Sequence, residues 1–134
     1  MSDEAKTDDS KFDWVAKRSA CSLPIVFSSL RQDVEKDVKA RNALRPEGAP
    51  YEFSMEFKGN EFSVVLDAPD FKRSITFSLE DHAILVLDSG GNQIFEVTVN
   101  FNGEGKCVIK AKEESREEWQ VRRMALEDLL FRTA

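Results

Sequence analysis

The stretch LEDHAILVLDSGGNQ, residues 79–93, places the chain's single histidine, His82, beside Asp81 and six residues before Asp88. A histidine within hydrogen-bond reach of a carboxylate is the usual general-base arrangement. Here the intervening AILVL reads as a strand, which would hold His82 and Asp88 roughly 20 Å apart. Asp88 instead opens the turn DSGGN, where Gly90 and Gly91 supply positive backbone angles and the carboxylate can accept turn amides. His82 is therefore expected in a connection between strands, and His82→Ala should leave any activity intact. The SGG sequence leads into QIFEVTV, a strand pattern, whereas a phosphate loop leads into a helix N-terminus.

The remaining reactive side chains are equally dispersed. Glu52 and Glu56 fall on the wet face of one strand, and Asp67 and Asp70 flank a turn. No serine lies in a GxSxG sequence, and one histidine cannot build a multi-histidine metal site. Cys21 and Cys107 lack a CxxC spacing and a nearby histidine, so they are expected as reduced, packed thiols; a disulfide would need an oxidising compartment. No catalytic, cofactor-binding or metal-ligating residue is assigned, no cofactor is expected, and the chain reads as a non-enzyme.

Two groups of residues point to binding. Val65, Leu85 and Ile94 interrupt the polar side of their strands with apolar groups and form a candidate interaction surface. A two-fold axis through it would make a homodimer rimmed by Glu52, Glu56, Lys72 and Glu96. Trp14, Arg18, Tyr51 and Asp67 are candidate ligand contacts if a pocket lies between helix and sheet. Arg122 and Arg123, with Lys17 and Arg18 near Trp14, offer a basic rim for an acidic partner.

These side chains need elements to hold them. Residues 1–10, MSDEAKTDDS, lack apolar anchors and read as a disordered acidic tail, and residues 11–134 read as one α+β domain. KFDWVAKRSA suits a short helix. After it, Ser22 is an N-cap candidate with Pro24 in the first turn, and Val26, Phe27, Leu30, Val34 and Val38 form one stripe of a helix over about 23–44. RPEGAP ends it.

From Tyr51 the period falls to two. YEFSMEF, EFSVVLD, KRSITFSL, AILVLD, QIFEVTVNF and GKCVIKAK read as six strands joined by short turns, an antiparallel meander. Ser115 and Glu118 suggest a capping box for a final helix over about 115–131, with Trp119, Arg122, Leu126, Leu129 and Leu130 near one face. The two long helices then cover one sheet face. The expected core holds Phe27, Leu30, Val34, Phe53, Phe57, Val64, Leu66, Phe77, Leu85, Val97, Val99, Trp119 and Leu126; Leu85 qualifies for core and outer patch alike because AILVL is apolar on both faces.

Composition limits the partners. The net charge is −6, with eight bases and four acids in residues 11–45 against six bases and twelve acids in residues 46–113. Nucleic acid would want a basic domain. No apolar run reaches the roughly 18 residues of a membrane span, and the acidic start is unlike a secretory leader. These features predict a cytoplasmic binding or adaptor protein, chaperone-like and homodimeric, with a protein partner, no nucleic acid and no membrane; the alternative is a small-ligand protein or enzyme with a pocket between helix and sheet. SREEWQVRRMALEDLL resembles the closing helix of pleckstrin-homology domains, which also follows strands, although only Lys58 stands where those domains carry several basic residues. Size, acidity and an N-terminal helix are similar to bacterial secretion chaperones, whose strands are interrupted by a helix that is not expected here.

Overall fold

The period-two pattern builds one seven-stranded sheet in the computed structural model, which describes residues 12–132. The tail expected over residues 1–10 lies outside the described residues. The strands are β1 (Glu52–Lys58), β2 (Glu61–Ala68), β3 (Phe71–Leu79), β4 (Ile84–Leu87), β5 (Gln93–Phe101), β6 (Cys107–Ala111) and β7 (Glu114–Arg116). Each pairs antiparallel with the next, so sheet order equals chain order. Helices α1 (Trp14–Ala20) and α2 (Leu23–Ala43) precede the sheet and α3 (Glu118–Phe131) follows it, an α+β arrangement.

Local chemistry explains most boundaries. Gly59, at φ 57°, opens the β1–β2 turn. In DSGGN, Asp88 Oδ1 accepts the Gly90 and Asn92 amides, each at 2.9 Å, and Gly91 takes φ 80°, whereas Gly90, expected to do the same, takes no positive angle. The Asn92 amide, with help from Gly90, holds the Asp88 carboxyl below its ordinary pKa. Ser22 caps α2 by accepting the Ile25 amide, as expected, with Pro24 in the first turn.

The seventh strand corrects the expected six and displaces the Ser115–Glu118 capping box. Ser115 pairs with Lys110 in β7, and α3 starts at Glu118, where the Gln120 side chain accepts the Glu117 amide at 2.8 Å. Lys112 and Glu113 make the preceding turn at φ 53° and 65°. Neither is a residue that favours the left-handed region, so the turn left no glycine signal in the sequence.

The core lies between the sheet and the two long helices. The α2 stripe Val26, Leu30, Val34 and Val38 is buried against Phe53, Phe62, Val64, Leu66 and Phe77, with Phe62 stacked on Phe77 at 4.7 Å and Phe27 tilted against Phe62 at 5.1 Å. Val97 and Leu126 are buried as expected, while Phe27 and Val99 are half-buried. Leu85 is not in this core: Ile84 and Val86 point inward, so Leu85 turns to the outer face and is half-buried there. Phe57 is exposed near the end of an edge strand, with the Arg31 guanidinium over its ring at 6.0 Å. Asn42 fastens α2 to that edge by bonding both the Phe53 carbonyl and amide.

In α3 the stripe Val121, Ala125 and Leu129 faces the sheet. Trp119 shares the azimuth of Leu126 and Leu130, seven and eleven residues on. It therefore looks along the seam with α2 and is exposed, against the expectation of a core tryptophan. The bonds Ser29–Glu118, Asp37–Arg122 and Arg41–Leu130 advance together along both helices, so α2 and α3 run in the same direction side by side.

Cys21 and Cys107 form a disulfide across 86 residues, which overturns the expectation of reduced thiols. It joins the α1–α2 junction to the start of β6. The cysteines were too far apart in sequence for their pairing to be read, since only the fold brings them within 5.3 Å at Cα.

Candidate binding groove

The sequence candidates are placed apart from one another. His82 sits exposed in the β3–β4 connection and Asp88 at the other end of β4, so they form no dyad. Glu56 lies on the outer face of the sheet, paired with Lys72 at 3.7 Å. Among the described residues no group of three or more His, Cys, Asp or Glu is placed to hold a metal ion. Nor is any described helix long and apolar enough to cross a membrane.

The four candidate ligand contacts divide between two ends of the sheet. Trp14 lies over the β5–β6 turn in a depression lined by Phe12, Phe101 and Gly105. Arg18 donates to the Cys21 carbonyl. Tyr51 and Asp67 meet at the opposite end, beside Arg45 and Glu52. Between the helices and the sheet, where the alternative reading would put a ligand pocket, the phenylalanine and aliphatic side chains pack on one another.

The outer sheet face is largely polar. Val65 is only 2% exposed, between Ser54 and Ser74 of the flanking strands, and the Lys72–Glu56 pair spans the same three strands. Leu85 is half-buried and Ile94 is 42% exposed at the irregularity between β4 and β5. Between Val65 and Leu85 runs β3, whose outward residues are Ser74, Thr76 and Ser78. Ser63 and Thr76 share a hydroxyl bond at 2.7 Å. The three apolar residues therefore form no continuous patch.

A concentration of exposed apolar surface lies elsewhere, on the seam between α2 and α3. A groove of about 420 Å³ runs there, floored by Ala40, Leu126 and Leu130. Its walls carry Trp119 at 49%, Leu44 at 69% and Phe131 at 61% exposure. These are large side chains that a chain covers when it can, and three on one seam are more than scattered surface residues. Trp119 sits in the first turn of α3, while Leu44 and Phe131 mark the far end.

Charged groups fix the walls. Arg122 donates to both carboxylate oxygens of Asp37, at 2.7 and 2.8 Å, and to Glu118 at 3.0 Å. Burial would lower the Arg122 pKa, but Asp37 and Glu118 outweigh it and hold the guanidinium above its ordinary value. Burial raises Glu118; the Ser29 hydroxyl opposes this, and neighbouring Asp33 raises it further against the pull of Arg122. Arg41 donates to the Leu130 carbonyl and lies over the Phe131 ring at 5.2 Å. Arg123 and Glu127 pair along the outer rim at 3.3 Å.

The lining of the groove is apolar between paired charges, and it brings no nucleophile and base together. The sequence held a signal for it, since Trp119, Arg123, Glu127 and Phe131 recur every four residues beside the buried stripe Val121, Ala125 and Leu129. Reading Trp119 as core hid that second stripe. Comparison with models of known families, with curated proteins and with solved structures finds no match to this chain.

Proposed function

We propose that this is a non-enzymatic binding protein that engages a protein partner through the groove between α2 and α3. The observation that carries the reading is the exposure of Trp119, Leu44 and Phe131 around an apolar floor. Tryptophan and arginine dominate binding hot spots because they combine large contact area with directional polar groups. Arg122 and Arg41 are already held by Asp37, Glu118 and the Leu130 carbonyl, so little side-chain freedom is lost when a partner docks. The same groove replaces the sheet face as the contact surface. A cytoplasmic site of action fits less well with the Cys21–Cys107 bond, which favours an oxidising compartment.

The test uses anilinonaphthalene sulfonate as an apolar probe on a Trp14→Phe chain, in which Trp119 is the sole tryptophan. The dye should quench Trp119 emission, and Leu44→Asp should weaken dye binding about fivefold. Equal dye binding by both chains, with Trp119 emission unmoved, overturns the groove as a binding site.

A further inference from the structure

The groove reading leaves its occupant open, and the order of residues along α3 narrows it. Ala125 marks the midpoint of a pattern that reverses in charge. Two residues to either side stand Arg123 and Glu127, and three to either side Arg122 and Asp128. Farther out, Trp119 matches Phe131 and Glu118 matches Arg132. Of these pairs, Arg123 and Glu127 lie on the outer rim and can meet across two copies, as can the exposed rings of Trp119 and Phe131, whereas Arg122 and Glu118 are already paired within the chain.

Such a sequence complements itself when two copies of the helix lie antiparallel. A two-fold axis at the level of Ala125 sets residue i of one copy against residue j of the other and j against i, which is the geometry of an isologous contact. We infer that the groove between α2 and α3 receives a second copy of this chain, with the two α3 helices crossing antiparallel at the level of Ala125. The inference rests on the groove being a binding surface and names what fills it. Trp119 of one protomer then enters the end of the partner's groove that Leu44 and Phe131 leave exposed, and the reciprocal contact forms at the other end. Arg123 faces Glu127 of the other protomer twice over. Both are accessible for this, with their side chains 63% and 37% exposed.

Electrostatics favours this face over the strand region for meeting an acidic copy. The chain carries −6 in all, yet residues 118–132 hold three acids and three bases. Two copies approaching through α3 bring neutral, alternating surfaces together, whereas the strand region would oppose an acid-rich surface to itself. The intrahelical pairs Arg123–Glu127 and Arg132–Asp128 do not forbid the exchange, because they lie at the surface and each carboxylate can accept from two guanidinium groups.

Sedimentation equilibrium on the full chain tests the pairing, with charge reversal as the probe of register. The wild-type chain should be a dimer at micromolar concentration in low salt. Arg123→Glu leaves acids at both rim positions and Glu127→Arg leaves bases at both, so each variant alone should dissociate about tenfold more readily, without change in circular dichroism. Mixed together, the two variants should form a heterodimer at least as tight as wild type, because every facing pair is then opposite in sign. Trp119→Ala should weaken the dimer about thirtyfold. A wild-type chain monomeric at 100 µM (about a hundred times the concentration a micromolar dimer needs) overturns the pairing. So does a dimer that neither reversal disturbs. If the monomeric chain still binds the apolar dye at Trp119, only the second copy is excluded as occupant. Failure of both measurements removes the groove as well.

Discussion

Two consecutive helices, α1 and α2, meet at Cys21 and Ser22 and are attached to the same sheet by different physics. The longer one buries Val26, Leu30, Val34 and Val38 at four-residue intervals and so presents a continuous apolar stripe. The shorter one buries no residue of its own: Trp14 and Val15 remain exposed, and the flanking Phe12 touches the β5–β6 turn over Gly105. What ties α1 down is the bond from Cys21, just beyond its end, to Cys107. A helix can thus be well formed, with Asp13 accepting the Ala16 amide as a cap, and still bury nothing of its own, held instead by the covalent link beyond its end and the Phe12 contact before its start.

Breaking the packed attachment should have the largest effect. Val34 is fully buried between α2 and the sheet. Val34→Asp would place a carboxylate there without a partner, at a cost of several kcal/mol that exceeds half the stability of an ordinary domain. Val97→Asp, on the sheet side of the same core, should do likewise. Loss of dispersion in the proton NMR spectrum is the expected outcome for both; a well-dispersed spectrum would mean that the stripe does not carry the fold.

Breaking the covalent attachment should be milder and local. Cys21→Ser with Cys107→Ser removes a cross-link across 86 residues, worth about 2–4 kcal/mol in domains of this kind. The sheet and the two long helices should remain folded, while trypsin should cut after Lys17 and Arg18 many times faster than in the oxidised chain. Cys107 lies at the surface, so a dithiol reductant should reproduce the effect in the wild-type protein by exchange. If Lys17 and Arg18 stay protected after reduction, contacts other than the disulfide hold α1.

The same contrast explains what the sequence made legible. The alternation of Phe62, Val64 and Leu66, or of Ile75 and Phe77, is local and repeats, so the strand faces of β2 and β3 could be read without the fold. The α2 stripe could be read for the same reason. Features created by long-range encounters could not: the disulfide depends on the β5–β6 turn arriving beside α1, and β7 exists because Glu114–Arg116 find the free edge of β6. Ser115 and Glu118 carry a plausible helix-start spacing, but three ladder positions overrode it. Of the binding residues expected from sequence, Trp14 and Arg18 proved distant from Tyr51 and Asp67 because the strands separate them by their full length. Trp119, assigned to the core, stands on the groove instead, since a helix beside another helix has two directions in which to place an apolar residue.

A third kind of attachment, polar and partly wet, joins α2 to α3, and it sharpens the comparison by predicting a pH response of small size. Glu118 accepts the Ser29 hydroxyl at 2.8 Å and the Arg122 guanidinium at 3.0 Å, and its pKa is raised by burial, with Asp33 adding to the shift. A carboxyl with a folded-state pKa above its unfolded value binds its proton more tightly in the native chain. In the window from the unfolded value, near 4.5, up to the raised folded value, native Glu118 is therefore more protonated than unfolded Glu118. The contribution of this group to stability falls as pH rises through that window and stays at its low level above it. Glu118→Gln keeps an acceptor for Ser29 and removes the repulsion with Asp33, while Arg122 retains both oxygens of Asp37. The variant should match or exceed wild type at pH 7 by less than about 1 kcal/mol, and the wild-type advantage gained on acidification through the window should vanish. Urea midpoints measured between pH 4 and pH 7 for the two chains give the difference directly. A variant that is less stable at pH 7 and loses none of the acid dependence would assign the polar seam to the Glu118–Arg122 ion pair, with burial and Asp33 counting for little.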